Sequence, residues 1–455
     1  MSRGIIWRLG ITLGFLGALF LVNWEPDRTN FGFIAAFYSF AFVCYLLILR
    51  ERENFRFVHL IVVAGIAHFA SMLFEPNLSN DFYRFLWDGE MTWQGINVFD
   101  FKPYELTDQG FMKSAYMQEI YAGLSDISKE NYSCYPPVNQ VYFIVSTGFT
   151  TSVAVNAFIM KMLIVLTEVA GAIYLRKLLL HFSIEPARMW VLFLNPLLII
   201  ECTGNTHFEG VMLSLLLISF YFLFTKRLAL AAVIFGLAVQ IKLVPLILLP
   251  FFLRYFGWKK SFTFYAISGI VIVGLGFTQL NSDNIMHFLE SLALYFRVFE
   301  FNSFIFYNYI AIGKIFTKYN PIQIIGPMLS GVTLLIILVN ALKKKPVDWQ
   351  QLFNRMMFGF FIYMLLCSTL HPWYVLPLLT LSVFTNYSFP VLWSFLIFFS
   401  YFFYSVGSGG SFEVRALVTA EYVILFGYLF YELFKKGSPF KFLRLDSYFQ
   451  PIEES

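Results

Sequence analysis

The sequence predicts an all-α fold: a polytopic integral membrane bundle of about 13 to 14 crossing helices, with a large first outer loop that carries interfacial helices. Three observations lead there. Of 455 residues, 58% are apolar and only 13% charged, where soluble domains carry roughly 25% charged residues. Apolar stretches recur almost from end to end, with a mean hydropathy of +0.68. The charges gather in the short gaps between those stretches. A soluble chain of this length would divide into about three domains. This one reads as a single integral domain over 1–434 and a short basic tail, 435–455.

A crossing helix needs roughly 20 apolar residues, and fewer inside a bundle. The chain starts basic and runs apolar without a small-x-small cleavage site, so 5–23 reads as an uncleaved first span. Further candidates are 31–49, 57–74, 153–175, 188–200, 208–224, 228–241, 243–256, 261–279, 322–341, 354–369, 373–387, 389–405 and 416–434. The pairs 188–200/208–224, 228–241/243–256 and 354–369/373–387 read as tight hairpins or broken helices around a polar point. Segment 138–149 is too short to cross comfortably and reads as re-entrant or interfacial.

Charge orients the map. Arg3, Arg8, Arg50, Arg52, Arg56, Arg176, Lys177, Arg188 and Lys343–Lys345 fall on one side with most other basic residues, and so does the tail. By the positive-inside rule that side is cytoplasmic, with both termini. The setting this implies is a bacterial cytoplasmic membrane. Loops 75–152 and 280–321 then lie outside, with the turns "ECTGNTHFEG", "QIKLVP", "STLHPWY" and "GSGGSFEVR". The net charge of +4 is spread over topology-setting loops, so nucleic acid is not an expected partner. Four Cys show no metal spacing. Cys44 and Cys367 read as small hydrophobes, and Cys134 with Cys202 is a conceivable disulfide. No inverted repeat of the transporter kind is visible.

The chemistry concentrates in "SNDFYRFLWDGEM", residues 79–91. On a helix over 80–94, Asp81, Arg84 and Asp88 fall at i, i+3 and i+7, on one face. Phe82, Phe85, Leu86 and Trp93 cover much of the rest. A carboxylate at a membrane–water boundary is partly desolvated, which tunes it for general-base work. An adjacent Arg can orient it or meet a phosphate. The outer turns add Lys242, His207, Glu209 and His371 with Trp373; the second loop adds Arg297 and Asn302; Tyr135 lies in the first loop. Ionisable groups gathered at one membrane face suggest a site, and this set suits a lipid-linked phosphate leaving group and a hydroxyl nucleophile. Plainer readings stand beside it. Asp81 and Asp88 are also what a solvated interfacial helix carries, Lys242 can snorkel, and His207 and His371 can cap helix ends. Lys161 and Glu168, seven apart in one span, read as interhelical polar contacts.

The stretch "SNDFYRFLWDGEMTWQGIN" resembles the signature of bacterial polyprenol-phosphate-sugar-dependent glycosyltransferases of the GT-C superfamily, in particular the mannosyltransferase-like group. "YPPVNQ", "NPLLIIECTGNTHFEGVML", "VQIKLVPLILLP", "FEFNSFIFY" and "LHPWYVLPL" follow in the same order. The resemblance implies a GT-C-like bundle that moves a hexose, mannose above others, from polyprenyl phosphate to an extracytoplasmic glycan or glycolipid. It implies an inverting single displacement with Asp81 as base and with Asp88 and Arg84 beside it. Lys242 and Arg297 would meet the donor phosphate, and His207, Glu209, Asn302, His371, Trp373 and Tyr135 would line the substrate. No metal or other cofactor is implied. Four positions depart from the pattern: Asn80 replaces the first acidic residue, Glu90 an Arg, and Val98–Phe99 a Pro-aromatic pair. The other classes open to such a chain are a flippase for a lipid-linked sugar and a ligase or polymerase using a diphosphate-linked donor.

Overall fold

The computed structural model describes residues 3–449 except 26, 298, 306, 309–321 and 408–410, and not the side chains of 109 and 295–297. Helices dominate. Among the described residues, extended pairing is limited to two isolated bridges, Ile184 with Phe449 and Phe301 with Thr369. In chain order the helices are α1 (Arg3–Trp24), α2 (Phe31–Arg50), α3 (Phe57–Met72), α4 (Asp81–Trp93), α5 (Ala115–Gly123), α6 (Asp126–Glu130), α7 (Pro137–Thr147) and α8 (Val153–His181). Then come α9 (Pro186–Phe193), α10 (Pro196–Gly204), α11 (Glu209–Phe224), α12 (Leu228–Ile241), α13 (Val244–Phe256), α14 (Trp258–Gly276) and α15 (Ile285–Arg297). Last are α16 (Ile322–Lys343), α17 (Trp349–Leu366), α18 (Leu376–Ser382), α19 (Phe389–Val406) and α20 (Phe412–Lys435).

Helices occupy every expected span. Among the described residues six of them, α1, α2, α8, α16, α19 and α20, are long and apolar enough to cross a membrane unaided. The pair α9–α10, bent by 52°, makes a seventh if it is one broken span. This is fewer than the number of apolar stretches, and the reason is length. A 16-residue helix such as α3 or α11 rises about 24 Å, against a hydrocarbon layer of ~30 Å. Asn195–Pro196 interrupts one stretch, and Asn195 caps the restart by accepting from the Leu197 amide at 2.9 Å. Lys242 interrupts another, between α12 and α13, and Pro245 lies in the first turn of α13. Segment 138–149 is α7, an 11-residue helix too short to span. It packs along α4, and also touches α8 and α12.

The core is built from helix pairs in direct contact: α1 with α2, α8 with α11, α11 with α12, and α12 with α14. Close approach needs small residues. Gly171 of α8 lies against Ser214 of α11 with no room for a side chain. The loop helix α4 meets α7 through Gly89, where a Cβ would lie 2.5 Å from the Phe143 carbonyl oxygen. Lys161 and Glu168 do make interhelical contacts, but with separate partners. Lys161 donates to the Ser71 and Phe74 carbonyls at the end of α3. Glu168 meets His68 of α3 and Thr203 of α10. Cys202 is a free thiol, so the conceivable Cys134–Cys202 disulfide does not form, and Cys44 and Cys367 are free thiols too.

Two polar clusters mark the ends of the bundle. At one end Arg188 is fully buried and donates to the carbonyls of Val383, Ser382, Thr385 and Leu443. Arg52 and Arg188 both lie over the Tyr448 ring, so the segment after α20 is held against the helix ends. The other cluster holds the candidate site.

Candidate active site

The site is assembled from turns that are far apart in sequence. Asn205 fastens two of them, accepting from the amides of Asn77 and Leu78 at 3.0 and 2.8 Å. That places the start of α4 against the turn between α10 and α11. Thr206 in that turn adopts φ 59, a left-handed conformation rare for a branched residue. The chain thereby doubles back, and the backbone N–H of His207 donates to the Glu201 carbonyl at 3.1 Å.

Asp81 opens α4, its amide donating to Ser79 Oγ at 3.2 Å. Its carboxylate Oδ2 lies 4.0 Å from His207 Nε2. Some 43% of the side-chain surface is open, yet protein walls the recess, and lost hydration pushes the pKa up against the pull of Lys242 and Arg28. Lys242 follows the last turn of α12 and pairs with Glu209, the first residue of α11. Its ammonium also lies 4.7 Å from the Tyr374 ring centroid. Asn139 of α7 fixes the end of α12 by donating to the Ile241 carbonyl at 2.6 Å.

The wall beside Asp81 is a stack of rings. His207 stacks on Trp373 at 3.5 Å, Trp373 on His371 at 4.5 Å, and His371 on Phe301 at 4.7 Å. Burial holds His371 down at about 3, with Lys242 adding to the effect. The same causes, with His371 itself, hold His207 well below its usual value. Both rings are therefore neutral near pH 7. Tyr135 joins from the first loop, edge-on to Phe85 at 4.9 Å. Burial and the Asp81 carboxylate raise its phenol.

The expected Asp81–Arg84–Asp88 stripe divides in two. Asp88 is fully buried. Arg84 Nε donates to it at 2.7 Å, Ser133 at 2.6 Å and Gln140 at 3.4 Å. Arg84 also donates to the carbonyls of Ser128 and Asn131. The pair thus ties α4 to the loop around 128–140, while Asp81 faces His207. Glu209 turns to Lys242, and Asn302 donates to Glu421 at 3.1 Å. Asn302 adjoins the ring stack through its neighbour Phe301. The Arg297 side chain lies outside the described residues. Glu90, one of the departures, accepts from Tyr116 at 2.9 Å, and Asn156 donates to Tyr116 in turn.

Sequence reasoning missed two participants. Arg28, between α1 and α2, donates to the Leu78 carbonyl at 3.3 Å, lies over the Tyr404 ring at 4.1 Å, and acts electrostatically on Asp81. An arginine in a short outer turn breaks the positive-inside pattern, which was the available signal. Tyr401 is the other, donating to both oxygens of Glu201 at 2.9 and 3.1 Å. Among the described residues no three His, Cys, Asp or Glu side chains converge as metal ligands.

The site is thus a carboxylate, two cations and a ring wall gathered at one end of a helical membrane bundle. The family model that matches residues 29–256 is that of the N-terminal domain of alpha-(1->6)-mannopyranosyltransferases, the MptA_B family. It covers half of the chain and includes Arg28's neighbour Thr29, all of α4 and Lys242, so the chain belongs to this family and is a membrane mannosyltransferase. No curated protein and no solved structure matches the chain.

Proposed function

We propose that this mannosyltransferase takes mannose from polyprenyl phosphate and adds it to a hydroxyl of a mannose-bearing glycan or glycolipid on the extracytoplasmic face. Asp81 acts as general base. The acceptor O–H gives its proton to the Asp81 carboxylate as the oxygen bonds to the donor's C1. The C1–O bond to phosphate breaks, and polyprenyl phosphate leaves with the electron pair. Lys242 and Arg28 oppose the charge that develops on the phosphate, which is how preplaced cations lower such barriers. His207, His371, Trp373 and Tyr135 line the sugars. In this reading Glu209 holds Lys242, Asn302 supports the ring stack from behind Phe301, and Arg84 and Asp88 position α4. A single inversion that leaves an α linkage requires a β-linked phosphate donor.

The observation that carries the reading is the recess itself. A half-open carboxylate faces a histidine and two cations where the outer turns meet. The test is sugar transfer by purified protein in lipid, with synthetic β- and α-linked polyprenyl-phosphate mannose and mannose-terminated acceptors. Transfer is expected from the β-linked donor alone, with folded Asp81→Asn slower by on the order of 10²- to 10⁴-fold. Full activity in Asp81→Asn would remove Asp81 as base, and movement of the lipid-linked sugar across the bilayer without transfer would favour a flippase.

A further inference from the structure

His207 carries one ring nitrogen that the reading above does not explain. Its Nδ1 lies 3.1 Å from the Glu201 carbonyl oxygen and 3.1 Å from Glu201 Oε2. A carbonyl can only accept, so Nδ1 carries the proton whatever the state of the Glu201 carboxyl. The neutral ring therefore has its lone pair on Nε2. That atom is buried in a side chain only 3% exposed and has no hydrogen-bond partner among the described residues. The Asp81 carboxylate is the polar group it faces, at 4.0 Å. An ionised carboxylate cannot donate to it, so two acceptors confront each other across a gap too long for a hydrogen bond. A buried acceptor left unpaired costs free energy, and here the cost sits beside the reacting group.

We propose that His207 Nε2 is the hydrogen-bond acceptor for Asp81 once Asp81 has taken the acceptor's proton, and that Glu201 is the positioning residue that fixes the ring for this role. This rests on Asp81 being the base. The balance is simple. The acceptor O–H bond breaks, an O–H bond forms on Asp81, and that O–H donates to Nε2 without transferring its proton further. The bond exists only as the proton arrives, so it stabilises the transition state and not the resting site. The groups that face the ring agree with this. Lys242 from the end of α12 and His371 from the turn before α18 both oppose a positive charge on His207. Glu209 is taken up by Lys242, and Arg28 acts on Asp81 itself. In the proposed step the proton stays on the carboxylate, since Lys242 and His371 both oppose an imidazolium. Trp373 supports one face of the ring, and Tyr401 holds the Glu201 carboxyl.

The experiment compares His207→Phe, His207→Gln and His207→Asn in the lipid transfer assay, beside wild type and Asp81→Asn, with folding checked by monodispersity and thermal unfolding. Phe keeps the ring stacked on Trp373 but removes both nitrogens. Gln places an amide where Nε2 was, and Asn where Nδ1 was. His207→Phe is expected to lose kcat by on the order of 10- to 100-fold with KM nearly unchanged. His207→Gln should recover part of that loss and His207→Asn none. A Phe variant as fast as wild type would reduce His207 to packing and overturn the proposal. So would a loss confined to KM, or equal rescue by Gln and Asn. A dead His207→Phe beside a fully active Asp81→Asn would instead make His207 the base. That result, like absence of transfer by wild type, strikes the parent reading and is told apart by it.

Discussion

At the residue scale the site depends on one carboxylate held above its ordinary pKa. In the proposed mechanism Asp81 is the base and must be ionised to work. Burial raises the Asp81 pKa from 3.8, and Lys242 and Arg28 draw it back only in part. The rate should therefore fall as pH drops through this raised value, so the acid limb of kcat/KM lies above the position of a free aspartate. Removing a cation strengthens the upward shift. Arg28→Met should move the limb to higher pH and raise KM for the lipid donor, both read from one pH–rate series. Lys242 has a second duty, because Glu209 is 2% exposed and its carboxylate relies on that ammonium. Lys242→Met should cost about 2 kcal/mol in thermal unfolding, a modest figure because the lysine is itself 32% exposed. Adding Glu209→Gln should restore stability without restoring donor binding. Asp81, His207, Lys242 and His371 were legible as polar residues in turns between apolar spans. Glu201 stood in the same polar turn as His207 but ranked low there, because its second partner, Tyr401, lies 200 residues away.

At the scale of elements, α4 is the piece that must be placed, and it is placed by its own charged face. Spacing put Arg84 and Asp88 on the same side as Asp81, but spacing cannot say what a face meets. The Arg84 partners Ser128 and Asn131 are 44 and 47 residues away, a contact no local pattern encodes. Asp88→Ala would leave the Arg84 guanidinium buried beside empty space. Breaking a buried pair in this way costs on the order of 3 to 5 kcal/mol. Activity should then fall through loss of folded protein, and the surviving fraction should keep the wild-type pH profile. Gly89→Ala tests the same placement from the other side. The new Cβ meets the Phe143 backbone at 2.5 Å, and backbone cannot yield as a side-chain tip can. The helices α4 and α7 must separate, so transfer should drop while the unfolding midpoint moves by only a few degrees, about what 1–3 kcal/mol of overpacking allows. Had α7 crossed the membrane, it would have carried the chain to the other side. Its 11 residues rise only about 16 Å, and it instead serves as the bed on which α4 rests.

For the whole molecule the question is which side the site faces, and the two polar ends frame it. Helix α8 runs 29 residues, about 43 Å, enough to cross a bilayer with some to spare. Its last turns carry Arg176 beside Phe57 and Lys177 beside Tyr174 and Tyr221. Its first turn holds Asn156, which donates to Tyr116 in the loop that carries α4. Of the basic residues assigned to one side by charge, Arg52 and Arg188 meet over Tyr448. Asp81, Arg28, His207 and Lys242 meet at the other end. The positive-inside rule expects such a division, because it acts on short loops and most of these loops are short. What the sequence could not supply was the number of full-length spans, since polar interruptions shorten several helices without removing them from the bundle. The expected topology follows from the two ends. In an active background with Cys44, Cys134, Cys202 and Cys367 replaced by Ser, a single cysteine at Asp126, an exposed position on the site loop, should react with a membrane-impermeant maleimide in intact cells. A single cysteine at Lys441, exposed in the tail, should react only after the cells are opened. Labelling of both from outside, or of Lys441→Cys alone, would place the recess on the cytoplasmic side or break the two-ended arrangement, and the acceptor would then have to be sought among cytoplasmic glycolipids.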